Sequence, residues 1–95
     1  MKLEFRQAVL CNHLVIAQSC KVMEWELPVP RAGEYVEGLG FLSGAKELPV
    51  QRVLHQAKSG VCCIELPAFN IAQLRISYKE LEWLAEQKGW TLQKV

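Results

Sequence analysis

Aspartate is absent from this chain of 95 residues; all ten acidic side chains are glutamate. That removes the commonest ligand of calcium loops and of catalytic magnesium sites. An excess of one charge sign is missing too, because eleven lysines and arginines face those ten glutamates and leave a formal charge of +1. A balance so close to neutral gives no support to a dominant polyanion-binding role and leaves a local basic patch to consider. No apolar run approaches the length of a membrane span, and MKLEFRQAVLC carries Glu4 and Arg6 where a signal peptide needs an apolar core. Repeats, low-complexity tracts and dividing linkers are also lacking, so a single domain over 1–95 is expected.

What is present reads as globular. Apolar residues make up 51% and charged residues 22%, which is the balance of a chain that buries a core and not of a disordered one. Four cysteines without an export signal imply a reducing compartment, and the expected location is cytoplasmic, with thiols packing as small hydrophobes. Cys62 and Cys63 are neighbours that point to opposite faces of an extended chain.

The central stretch, LPVQRVLHQAKSGVCCIELPAF over 48–69, predicts a β-hairpin. Val50, Val53 and Leu54 precede a polar reversal at 56–60, Val61 to Leu66 return, and Pro49 and Pro67 bracket the unit. Upstream, Leu3, Phe5 and Val9 alternate with Glu4 and Arg6 as a strand, and Cys11-Asn12-His13 forms a turn. A long second strand over 14–27 changes phase. Leu14, Ile16, Cys20 and Val22 share one parity, whereas Met23, Trp25 and Leu27 take the other, which predicts a bulge near Gln18 to Cys20. Pro28 and Pro30 end that strand, and a short one follows at 34–37. The glycines of 38–44 predict a loop; Ala45 between Gly44 and Lys46 spoils the ending of a phosphate-binding motif. A further strand is expected over 69–76.

The best-marked element is a C-terminal helix over 77–88. Ser77 and Glu80 are spaced as a capping box, Tyr78, Leu81, Leu84 and Ala85 define one apolar face, and Gly89 is placed to end the helix. Trp90-Thr91-Leu92 then alternates as an extended tail. About five short strands and one helix imply a mainly β (or α+β) protein, either a small curled antiparallel sheet or an SH3-like barrel with the helix packed across it.

No catalytic residue, metal site or cofactor is implied. Cys11, His13 and Cys20 lack the paired spacing of a zinc knuckle. Cys63 and His55 fall on adjacent hairpin strands, yet no recognisable oxyanion donor accompanies them. The pattern therefore points away from an enzyme. On the helical wheel Trp83 falls opposite the apolar face, among Lys79, Glu82, Glu86 and Gln87, and Trp25 sits between Glu24 and Glu26. An aromatic on the outer face of a helix whose inner face is complete is a typical interface anchor. The expected function is association with itself or with another protein through Trp83, Trp25, Lys79 and Glu86. The alternative is single-stranded nucleic acid bound along Arg52, His55, Lys58 and Arg75, as small barrels do.

Overall fold

The first strand, β1 (Lys2–Cys11), buries every second residue from Leu3 to Val9 and lies in the middle of the sheet. The structure, a computed structural model, describes residues 1–39, 47–72 and 74–95. A two-residue turn with Asn12 at φ 59° returns the chain into β2 (Leu14–Glu24), antiparallel to β1. Asparagine tolerates this left-handed backbone better than most residues. The Asn70 side chain fixes the turn from outside, accepting from the Asn12 N–H at 3.2 Å and donating to the Asn12 carbonyl at 3.0 Å.

After the proline-rich segment, β3 (Tyr35–Glu37) and β4 (Glu47–Pro49) pair as a separate two-stranded sheet. The expected hairpin follows as β5 (Arg52–Gln56) and β6 (Val61–Glu65). β6 then lies parallel to β1, and β7 (Phe69–Asn70) continues along the same edge of β1. The C-terminal strand β8 (Thr91–Lys94) adds to the far edge of β2. The main sheet therefore runs β5-β6-β1-β2-β8, with β7 also on β1.

This arrangement corrects the expected fold class. The sheet is mixed, not antiparallel, and it does not close into an SH3-like barrel. A barrel needs its first and last strands to pair. Among the described residues β5 and β8 pair on one side only and remain edges. The cause is the return of β6 alongside β1, which places the hairpin on one flank and the tail on the other.

The phase of β2 also differs from expectation. The register shift lies between Val9 and Leu10, opposite Ile16, not near Gln18 to Cys20. Ala17, Ser19, Lys21 and Met23 share the core-facing side with Val9, Gln7, Phe5 and Leu3, to which they are paired. Two of these four are polar, which hid the phase in the sequence. The Ser19 hydroxyl is buried but donates to the Gln7 carbonyl at 2.6 Å. Lys21 runs along the sheet to donate its Nζ to the Lys88 carbonyl at 2.8 Å, at the negative end of the helix.

The helix α1 spans Tyr78–Gln87, with Ser77 accepting from the Glu80 N–H as N-cap. Leu81 and Ala85 are fully buried in one apolar cluster with Leu3, Phe5 and Ile64 from the sheet. Its end is a Schellman motif: the Trp90 N–H donates to the Ala85 carbonyl at 2.9 Å and the Gly89 N–H to Glu86 at 3.0 Å. Gly89 holds φ at 80° there. Trp90 is 1% exposed and donates its indole N–H to the Leu39 carbonyl at 3.0 Å, which ties the tail to the segment after β3. The strand expected over 69–76 ends at Asn70; residue 73 lies outside the described residues.

Between β6 and β7, Pro67 has no N–H to give to a ladder. The buried Gln7 side chain bridges this gap by donating Nε2 to the Pro67 carbonyl at 2.8 Å. Two stability predictions follow from these contacts. Replacing Gln7 by Leu leaves the Pro67 carbonyl without its donor and should cost about 1–3 kcal/mol in urea unfolding. Replacing Gly89 by Ala forces a side chain into left-handed backbone and should cost about 1–2 kcal/mol. Unchanged midpoints would show that neither contact contributes to stability.

Candidate functional site

Because β1 alternates, its even-numbered side chains leave the core side and enter an open, concave face of the sheet. Glu4 and Arg6 stand there with Cys20 from β2 and Cys63 from β6, brought alongside by the register pairs Glu4–Cys63 and Arg6–Cys20. Glu4 Oε1 accepts from the Cys20 thiol at 3.0 Å, and Oε2 accepts from the Cys63 thiol at 3.2 Å. The Arg6 guanidinium closes the cluster, donating Nε to Oε2 at 2.7 Å. A recess of about 780 Å³ lies over this cluster, walled by Gln18, Gln51, Glu65, Thr91 and Gln93.

The electrostatics keep the thiols protonated. The Cys20 hydrogen bond is the largest influence holding Glu4 below the usual carboxylate range; partial burial opposes it, and Cys63 and Arg6 assist. Burial and the Glu4 carboxylate push Cys20 up to about 12 and Cys63 up to about 11. A nucleophilic cysteine needs the opposite shift, toward thiolate at neutral pH. Three donors thus converge on one carboxylate, with both thiols held in their protonated, donating form. His55 does not alter this, because the register sets it opposite Cys62 while Leu54 faces Cys63. Among the described residues no three His, Cys, Asp or Glu side chains are grouped to hold a metal ion.

The residues marked for interaction separate into distinct environments. Trp83 is 60% exposed on α1, beside a shallow recess of about 420 Å³ that it lines with Lys79, Glu80 and Leu84. Trp25 is half-buried. Its ring meets Phe5 edge-on at 5.5 Å and its indole N–H donates to the Pro28 carbonyl at 3.1 Å. Trp25 is thus anchored by the core, on an element remote in sequence from α1.

The basic set is dispersed. Arg52 gives two hydrogen bonds to Glu65, at 2.7 and 3.1 Å, so its charge is already matched. His55 and Lys58 are exposed, but Lys58 lies past the opposite end of β5 from Arg52. Arg75 belongs to the segment before α1, with φ 52°. Of the glycine loop expected over 38–44, residues 40–44 lie outside the described residues. The cluster around Glu4 went unread in the sequence because its members come from strands whose pairing is non-local; only the Glu4-x-Arg6 alternation was visible. Comparison with protein-family models, curated proteins and solved structures gave no match to this chain.

The raised thiol values predict a pH response. An unfolded thiol titrates near about 8.5, so the two groups stabilise the fold fully below that pH. Their contribution is lost as pH rises toward about 11 and about 12. Thermal midpoints should therefore fall between about pH 8.5 and 11. A Cys20→Ser/Cys63→Ser variant, whose hydroxyls still donate to Glu4 but do not titrate there, should fall less steeply. Equal slopes would remove the thiols as the cause.

Proposed function

We propose that this is a non-catalytic binding protein that pairs with a second copy of itself through the outer face of α1. The supporting observation is the placement of its tryptophans. Trp90 is buried with its N–H satisfied and Trp25 is fixed against Phe5, whereas Trp83 stands 60% exposed on a helix whose inner face is already packed. An exposed indole adds nothing to the fold that a lysine or glutamate would not, but it is the strongest kind of anchor in an interface.

The surrounding charges favour a second copy as the partner. Lys79, Trp83 and Glu86 follow at four and three residues, so they form one stripe along α1. In a two-fold, antiparallel pairing centred on Trp83, the Lys79 of each helix meets the Glu86 of the other. Such an interface is self-complementary, as two-fold symmetry requires. Its size limits its strength. Ten helical residues span only about 15 Å, and stable interfaces bury about 800 Å² on each partner. The pairing is accordingly weak and concentration-dependent.

Sedimentation velocity over about 1 to 500 µM tests this reading, with dissociation expected in the micromolar range or weaker. Trp83→Ala should raise the dissociation constant about tenfold or more while leaving the thermal midpoint nearly unchanged. Lys79→Glu and Glu86→Lys should each weaken pairing, and the two together should restore it. A monomer at every concentration would overturn the proposal, and failure of the double swap to restore pairing would remove the two-fold arrangement.

A further inference from the structure

We infer that a second binding site, independent of α1, lies between the Trp25–Arg31 segment and β3, and that it takes an extended, proline-containing basic peptide. The groove has a volume of about 780 Å³. That falls in the range of sites that enclose a ligand or a short peptide segment.

Its walls are polar and apolar in about equal measure, and its tryptophan is fixed. Trp25 is held at three points: edge-on against Phe5, through its indole N–H to the Pro28 carbonyl, and through its backbone N–H to the Met1 carbonyl at 2.8 Å. Leu27 is 68% exposed and Tyr35 is 60% exposed, and both line the groove with Pro28 and Pro30. β3, which carries Tyr35, is held in place by its pairing with β4 and by the Val50 N–H donating to the Glu34 carbonyl at 2.7 Å. The Trp25 ring and the β3 backbone are therefore positioned before any ligand arrives, which lowers the entropy cost of binding.

The form of the ligand follows from the groove's backbone. Pro28 and Pro30 have no N–H, so an incoming strand cannot form a continuous ladder along this wall. A polyproline II segment needs no ladder. It packs flat pyrrolidine rings against aromatic and aliphatic surfaces and leaves its carbonyls open to side-chain donors. The Tyr35 hydroxyl and the Arg31 side chain supply such donors at the groove.

The sign of the ligand follows from the rim. Glu34 and Glu37 line the groove against one cation, Arg31, and the exposed Glu26 stands between Trp25 and Leu27. Glu34 is oriented by accepting from the Arg31 backbone N–H at 2.6 Å, an interaction that leaves its negative charge in place. A ligand bearing arginine or lysine beside its prolines complements this surface, and an acidic one is repelled.

The test is an amide and indole NMR titration of the full chain with three synthetic peptides of equal length. One is proline-rich with two arginines, the second is proline-rich with two glutamates, and the third keeps the arginines but replaces every proline by glycine. The first should shift the Trp25 indole and the amides of 27–37, saturating at about 10–500 µM. Tyr35→Ala should weaken it at least fivefold, Glu34→Gln/Glu37→Gln should weaken it and flatten its salt dependence, and Trp83→Ala should leave it unchanged. Tyr35 is solvent-exposed, so its loss should not unfold the chain, and the same spectra check this directly. Equal binding of the glutamate peptide would overturn the charge assignment, and equal binding of the glycine peptide would overturn ring packing as the mode. No shifts at millimolar concentration of any peptide would overturn the site itself.

Discussion

The arrangement of this protein depends on the alternation of β1 while it is paired along both edges. β2 occupies one edge, and β6 followed by β7 occupies the other. Leu3, Phe5 and Val9 then must share one face, and all three are fully buried. Glu4 and Arg6 must share the other. A slip of one residue against either neighbour would exchange the faces and place a carboxylate and a guanidinium in the apolar cluster. The register is therefore enforced from two sides, and the Glu4 cluster is its consequence on the open face. There Glu4 accepts from a thiol of each flanking strand, so one carboxylate ties β2, β1 and β6 together across three strands.

A proline divides one edge of this sheet. Pro67 breaks the second edge of β1 into two pieces, and the Gln7 amide carries the pairing across the gap. β2 ends at Glu24, short of the expected Leu27, and the segment through Pro28 and Pro30 leads on to the small β3–β4 sheet. Those two prolines, beyond the end of β2 at Glu24, form part of the wall of the groove beside Trp25. Local backbone chemistry, not a dedicated insertion, supplies that surface.

Much of the local structure was legible from the residues, and most of the long-range structure was not. The Ser77–Glu80 spacing located the helix start, Gly89 located its end, and the turn at 56–60 located the hairpin between β5 and β6. These depend on neighbours within a few residues. The parallel approach of β6 to β1 depends on residues about sixty positions apart and leaves no periodic mark in either strand. Its absence from the reading produced the barrel expectation. Ser19 and Lys21 hid the phase of β2 in a different way, because a buried hydroxyl and a lysine stem satisfy a core-facing position that pattern reading reserves for apolar side chains. Among the marked site residues, Trp83 was placed by helical spacing alone. The surroundings of Trp25 depended on the Phe5 contact, which crosses from β1 to the segment after β2 and is invisible locally.

The two proposed surfaces differ in what they can tolerate opposite them. The α1 stripe carries Lys79 and Glu86 on either side of Trp83, so its field changes sign along its length and matches its own reversed image. The groove carries acids in excess, so a second groove placed against it would set like charges together in a partly desolvated contact. Like-charge contacts of that kind cost several kcal/mol at an interface, about as much as an aromatic anchor supplies. The charge pattern thus supports the proposed self-pairing on the helix and opposes it at the groove. The residues of the proposed α1 pairing and those lining the groove are different sets, so neither proposal uses the other's side chains. The two proposed surfaces differ both in charge pattern and in apolar content, the α1 recess being nearly all apolar and the groove about half polar.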